Sequence, residues 1–204
     1  LQGSALATLL MGLRGTVFVY QGEELGSENG KFNSIEEYDD LNTKDQYRRA
    51  LCAGYDEAQS LKFVNDRSRD NSRMPFPWTA EANGGFTSGM PWLKCNDDYA
   101  AICAKKQEQD KDSLLHYYRN LIRIRKDEAN RECLIYGEVR EIENAVESVI
   151  AFERIAENGE KIQIWINMSD EIQKADIIEG ELLCNNYSEF NRTSLQPYQA
   201  VMVR

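Results

Sequence analysis

Adjacent carboxylates at Glu23 and Glu24 close an apolar run, GTVFVYQGEELG, over residues 15–26. Paired acids at the end of such a run fit the rim of an active site, where one could work as acid or base. They also fit a solvated turn. If the backbone stays extended there, consecutive side chains point to opposite faces, so at most one could face a common ligand. His116 is the single histidine, and no nucleophile or metal ligand is spaced to meet it, which favours a structural role. Cys52, Cys95, Cys103, Cys133 and Cys184 form no C-x-x-C pair and are odd in number. With one histidine, that pattern argues against a zinc site. No other cofactor is implied. Scattered thiols suit a reducing compartment, the cytoplasm.

The charge balance narrows the partners. There are 34 acidic and 24 basic side chains, a formal net charge of -10, which disfavours nucleic acid and anionic membranes. A neutral or cationic ligand is more compatible. No apolar run reaches membrane-spanning length. Asn-x-Ser/Thr triplets at Asn167, Asn186 and Asn191 are read as chance in an Asn-rich chain. Hydrophobic residues make up 42%, enough for a real core. The text opens without Met on ALATLLMGL, which reads as a helix already under way, so the chain is expected to begin inside a larger fold.

The elements that must position these groups follow from pattern. Residues 4–13 read as a buried helix. Thr16 to Tyr20 lacks polar alternation, the mark of a strand buried on both faces in a parallel sheet. Ser34 to Glu37 and Thr43 to Gln46 have capping-box spacing, so helices are expected to start there. The second runs through KDQYRRALCAGY, breaks at Gly54 and resumes at DEAQSLKFV. DSLLHYYRNLIRIRKDEAN is an amphipathic helix, capped by Asp112 or Ser113, with Leu114, Tyr118, Leu121 and Ile122 on its apolar stripe. After residue 131 the text reads as strands: LIYGEVREI, ESVIAFERI, KIQIWINM and QAVMVR. AENGE between two of them predicts an Asn-Gly hairpin turn. A β domain of that size would be marginal alone and should pack on the part before it.

Between the helices lies a long segment with no period, NDRSRDNSRMPFPW followed by TAEANGGFTSGMPW. Pro75 and Pro77 forbid an ordinary helix interior. Arg69, Arg73, Phe76, Trp78, Phe86 and Trp92 argue for an ordered functional loop, since disordered segments are poor in aromatics.

Five stretches in this order, GTVFVYQGEELG, SIEEYDD, SRDNSRMPFPW, GGFTSGMPW and DSLLHYYRNLIRIRK, resemble the C-terminal part of the α-amylase superfamily of glycoside hydrolases, family 13, in its oligo-1,6-glucosidase/α-glucosidase branch. The resemblance spans residues 5–130, and the β segment after it fits as well. It implies the C-terminal end of a (β/α)₈ TIM barrel over 1–130, with Thr16 to Tyr20 as its eighth strand and a long insertion before the last helix. A small antiparallel, β-sandwich-like domain over 131–204 would follow. It implies retaining hydrolysis of short α-glucans, in which one carboxylate attacks the anomeric carbon and a second protonates the leaving oxygen. The resemblance places all the catalytic carboxylates before Leu1, so this chain alone should be inactive, and the missing N-terminal part of the barrel becomes its partner. Glu23 and Glu24 are then site-supporting, because a retaining pair must sit about 5–5.5 Å apart across one bond.

By the same resemblance Arg69, the first Arg of S-R-D-N-S-R, binds the terminal glucose together with an Asp of the first barrel loop that lies outside this chain, a task for which a guanidinium fork is suited; the alternative is that Arg69 only salt-bridges a Glu or Asp of its own loop. Arg73 would pack on an aromatic such as Trp78 or pin the loop. Asp70 and Asn71 would make turn hydrogen bonds. Asn42 stands where members of the branch often carry a Glu that contacts the second sugar, so linkage preference does not transfer. The alternatives are a non-catalytic subunit similar to the heavy subunits of amino-acid transporters, and an autonomous carbohydrate-binding or interaction module.

Overall fold

The computed structural model describes residues 1–144 and 146–204. In chain order the α-helices are α1 (Gln2–Gly12), α2 (Leu41–Cys52), α3 (Glu57–Asn65), α4 (Tyr99–Ile102), α5 (Ala104–Gln109) and α6 (Leu114–Lys126). The strands are β1 (Glu138–Glu141), β2 (Val149–Ile155), β3 (Lys161–Asn167), β4 (Gln173–Lys174), β5 (Leu182–Asn185), β6 (Ser194–Leu195) and β7 (Ala200–Val203). They form two compact units: Leu1–Val19 together with Leu114–Arg204, and Tyr20–Ser113. The division expected at residue 130 runs through the first unit.

The first unit is built on an antiparallel sheet in the order β1-β2-β3-β7-β5, with a separate β4-β6 ladder. Strand period two sorts its side chains. Phe152, Ile162, Ile164, Ile166, Ala200 and Met202 join one core with Ala5, Ala7 and Met11 of α1 and Tyr118, Leu121 and Ile124 of α6. Val149, Ala151, Trp165, Val201 and Val203 join a second core with Ile178 and Leu195. Burial on both faces explains why KIQIWINM reads as an almost continuous apolar run. Phe152 lies opposite Ile164, and Ile164 opposite Met202, in the ladder registers. Gly12 lets α1 approach the sheet: a Cβ there would meet Ile164 and Phe152 at 3.1 Å.

Two buried arginines finish this unit. Arg154 is completely buried, and its Nη1 donates to the carbonyls of Gly12 and Leu134 at 2.7 and 2.8 Å. Its Nη2 donates to Gly137 O at 2.9 Å. Arg125 donates to Met11, Leu13 and Gly15 carbonyls at 2.6, 3.2 and 2.9 Å. The last carbonyls of a helix have no partner within it, and these guanidinium groups satisfy those of α1 in place of water. Burial, reinforced by Arg125 and Arg14, lowers the Arg154 pKa to about 10, so it stays charged at neutral pH.

Several expectations change. Thr16 to Tyr20 forms no strand, and Phe18 is 82% exposed. A strand buried on both faces needs a ladder neighbour on each side, and no described residue supplies one. Residues Glu132–Tyr136 form a π-helical turn, so the strand read into LIYGEVREI begins only at Glu138. On α6 the buried residues are Tyr118, Leu121, Ile124 and Arg125, while Ile122 is 38% exposed. Strand β5 was not anticipated. The AENGE hairpin is present, but Asn158 keeps an ordinary φ, and only Gly159 is left-handed, at 86°. Gly159 N–H donates to Ala156 O at 2.9 Å, a turn with a glycine bulge instead of the two-residue Asn-Gly type. The Asn167 and Asn186 side chains are spent inside the fold: Asn167 donates to the carbonyls of Glu171, Leu195 and Gln196, and Asn186 to Tyr198 O.

In the second unit α2 begins two residues before the expected Thr43, at an Asp40 N-cap whose carboxylate accepts from Thr43 N at 3.2 Å. Its end is as read: Gly54 N–H bonds Leu51 O and Tyr55 N–H bonds Ala50 O. Asp56 and Gln59 form a true capping box on α3. Ser34 makes no cap bond, and Ile35–Glu37 is a single 3₁₀ turn. Phe32, Tyr38, Val64 and Met74 form this unit's small core.

Candidate functional site

The site candidates converge where the turn over residues 66–73 meets the start of α2. Ser68 Oγ caps the 3₁₀ turn Arg69–Ser72 by accepting from Asp70 N at 3.2 Å. Asp70 is fully buried, and its Oδ2 accepts from the backbone N–H groups of Asp39 and Asp40 at 2.8 and 2.9 Å. Asn71 ties the same turn to Asn65 O at 2.7 Å and to Gly30 N at 3.2 Å. These bonds reach across the sequence, so Asp70 and Asn71 do more than close their own turn. A buried carboxylate meeting two backbone donors fixes both segments, because either end left unpaired would carry a desolvation cost.

On that frame stand two arginines. Arg69 Nη2 is hydrogen-bonded and ion-paired to Asp40 Oδ1; the Arg69 side chain is 60% exposed and that of Asp40 only 2%. Arg73 Nη1 lies 3.4 Å from Asp70 Oδ1 and 4.0 Å from Asp40 Oδ1. Arg73 thus pins the loop through carboxylates, while Trp78 packs against Phe76, the rings tilted by 57° with centroids 4.5 Å apart. The Arg69 guanidinium, helped by the Thr43 hydroxyl, holds the Asp40 pKa down to about 2. Asp40 therefore stays charged and keeps Arg69 aimed, with much of the guanidinium open to solvent.

Neighbouring loops are pinned to the same frame. Trp92 Nε1 donates to Asp39 Oδ2 at 2.9 Å. Lys94 bridges to Glu37 Oε2 at 2.8 Å and donates to Lys31 O at 2.7 Å. Asn42 is exposed on the first turn of α2, two residues beyond Asp40.

Glu23 and Glu24 sit in a 3₁₀ turn between left-handed Gly22 and Gly26, not in extended chain. Glu23 accepts from Tyr20 N at 3.0 Å and Glu24 from Gly22 N at 2.9 Å. Both carboxylates are thereby occupied with the backbone of their own turn. Glu23 also lines a cleft of about 340 Å³ with Glu28, Asn29, Asp66, Arg67, Ser68 and Asn71. A larger open depression of about 740 Å³ lies in the sheet unit by Arg14, Glu132 and the 155–158 turn, but its charged side chains are all exposed. The paired, partly desolvated charges around Asp40 make the better site. Among the described residues no group of three or more His, Cys, Asp or Glu could hold a metal ion, and no helix is long and apolar enough to cross a membrane.

Asp40 and Asp39 were missed in the sequence. The signal for Asp40 was available: a short carboxylate just before the helical text LNTKDQYRRA is an N-cap. Nothing local marks its pairing with Arg69, 29 residues on.

With this geometry in hand, comparison with known proteins defines the class. Residues 2–137 match the family described as alpha amylase, catalytic domain, and the chain belongs to that family. Within it the chain falls in the oligo-1,6-glucosidase branch of glycoside hydrolase family 13. It is 34% identical to an oligo-1,6-glucosidase of Halalkalibacterium halodurans, over 96% of this chain and 36% of that protein. It is 32% identical to the trehalose-6-phosphate hydrolase of Escherichia coli, over 96% of this chain and 36% of that one. Among solved structures, trehalulose synthase MutB from Pseudomonas mesoacidophila is similar at TM-score 0.89 and 33% identity, over 99% of this chain and 38% of that one. The chain therefore spans little more than a third of the length of these relatives.

Proposed function

We propose that this chain is the C-terminal portion of an α-glucosidase-type retaining hydrolase that acts on short α-glucosides. Residues 1–130 would belong to the end of the (β/α)₈ barrel and 131–204 to the β domain that follows it. The observation that carries the reading is the Arg69–Asp40 pair on its buried Asp70 frame, in a chain of this branch. A solvent-open guanidinium steered by a buried carboxylate is suited to hold the hydroxyls of a terminal glucose. Arg73 and Asp70 support it, and Asn42 faces the second sugar. Glu23 and Glu24 shape the rim, since each carboxylate is already bonded within its turn.

The nucleophile and the acid would come from polypeptide that precedes Leu1. In the retaining reaction the nucleophilic carboxylate bonds the anomeric carbon while the acid protonates the departing oxygen; water then releases the glucose. Arg69 contributes orientation, which matters because a small misplacement of the sugar costs rate steeply. The site requires no cofactor in this scheme, and a cytoplasmic location goes with it.

The direct test is turnover of p-nitrophenyl α-glucoside. The natural protein carrying this chain should hydrolyse it, and the 204 residues alone should not. Robust turnover by the purified 204-residue chain would overturn this placement of the reacting carboxylates.

A further inference from the structure

We propose that Thr43 is a positioning residue for Arg69, acting through its hydroxyl on the far oxygen of Asp40. The inference rests on the α-glucoside reading above and adds to that same site a residue that works without touching the sugar. Arg69 takes its direction from one buried neighbour. Its side chain is largely exposed, and among the described residues its guanidinium is bonded to Asp40 Oδ1 alone. That oxygen can aim it only if the carboxylate is itself held. The last torsion of an aspartate is intrinsically broad, so bonds must fix it. On the Oδ2 side both bonds come from Thr43: its backbone N–H donates at 3.2 Å and its hydroxyl at 2.8 Å. The N–H bond is the ordinary helix cap. The hydroxyl bond is not needed for capping; it gives Oδ2 a second donor and so sets the plane of the carboxylate.

The Thr43 hydroxyl carries one hydrogen and has two oxygens at 2.8 Å, Asp40 Oδ2 and Ser68 Oγ. A charged carboxylate is the stronger acceptor. Asp40 is charged, its pKa held to about 2 by Arg69 above all, with the Thr43 hydroxyl helping. The hydrogen therefore goes to Asp40, and Ser68 Oγ braces the hydroxyl from its other side. Thr43, Asp40 and Ser68 are all buried, where a bond to a charged oxygen is strongest. Ser68 is also the residue before Arg69, so the contacts close a ring. Arg69 meets Asp40, Asp40 meets Thr43, Thr43 meets Ser68, and Ser68 returns to Arg69 through the backbone. Such a ring restrains the guanidinium relative to its own main chain, which a lone exposed ion pair does not do.

The test is a double-mutant cycle in the natural protein carrying this chain. It is read as kcat/KM for p-nitrophenyl α-glucoside per folded molecule, the folded fraction being counted by near-ultraviolet circular dichroism. Thr43→Val is close in shape and keeps the capping N–H but has no hydroxyl; it should lower kcat/KM about tenfold. In an Arg69→Ala background the same change should cost less than about twofold, because nothing is left to aim. Thr43→Ser returns the hydroxyl and should recover most of the loss. Thr43→Ala serves as a second hydroxyl-free variant if Thr43→Val does not fold. An equal loss in both backgrounds would show a purely structural role and overturn the proposal. So would full activity in the hydroxyl-free variant, or a Thr43→Ser protein as weak as Thr43→Val. Those outcomes leave the glucosidase reading in place. No turnover of the reporter by the unaltered protein, or near-native kinetics in Arg69→Ala, would instead sink the reading of the site, and this proposal with it.

Discussion

In the sheet unit Arg154 and Arg125 are buried against backbone carbonyls and meet no carboxylate among the described residues, whereas in the Tyr20–Ser113 unit Arg69 and Arg73 meet Asp40 and Asp70 and keep a path to solvent. The same side chain serves two ends. Where its terminal Nη groups donate inward to backbone carbonyls, the guanidinium is a clamp on the fold. Where a buried carboxylate holds one edge and leaves the rest open, it is a hand held out to a ligand. An arginine's burial and partner, more than its presence in a motif, separate structure from binding.

The contrast can be broken by substitution. The largest effect on stability should come from Arg154→Ala, which strands three buried carbonyls and leaves a cavity. We expect a loss of about 3–5 kcal/mol in urea unfolding; a midpoint close to that of the unaltered chain would show that water replaces the clamp at little cost. Arg69→Ala should do the reverse. Turnover of p-nitrophenyl α-glucoside by the natural protein should fall roughly a hundredfold, with thermal unfolding nearly unchanged. Near-native kinetics would reduce Arg69 to a loop contact.

A third measurement reads the pair by pH. The Asp40 pKa is depressed in the fold, so its contribution is present above the ordinary carboxylate value of about 4. It should be lost as pH falls toward about 2. Urea midpoints taken across that window should drop less in Asp40→Asn than in the unaltered chain, and parallel curves would contradict the pairing. The smallest effect should follow Gly159→Ala. The left-handed φ of 86° strains any side chain there, although no atom lies within 4 Å of the added Cβ. A cost of about 1 kcal/mol is expected, confined to the hairpin. Urea midpoints of the Gly159→Ala and unaltered chains measure it, and equal midpoints would show that the turn tolerates a side chain there.

Much of this architecture was legible because periodicity reports burial. Helix α1, most of α6 and strands β2, β3 and β7 all show in the text, and so does the break at Gly54. What escaped was set by partners distant in sequence. Nothing in ESVIAFERI marks Arg154 as a buried residue with its own partners, yet it points into the core because carbonyls of Gly12, Leu134 and Gly137 converge there. Strand β5 is four residues long, and its register beside β7 is interrupted between Leu182 and Cys184. Thr16 to Tyr20 shows the opposite failure: its composition is that of a central strand, but composition alone makes no ladder. At the site, resemblance pointed to Arg69 and Arg73, while their pairing with Asp40, distant in sequence, appears only in three dimensions.

The division into units has a consequence for assembly. Tyr20–Ser113 is one unbroken stretch of chain, while the sheet unit draws α1 from before that stretch and α6 with all its strands from after it. Docking α1 on α6 must therefore close a loop the length of the whole intervening unit. If that loop is still a random chain, closure costs on the order of 4 kcal/mol in lost entropy. If the intervening stretch has already condensed, the penalty depends instead on the distance between its ends. The order of events should then be visible in refolding, with protection of Asp40 and Asp70 amides preceding that of the carbonyl-bonded end of α1.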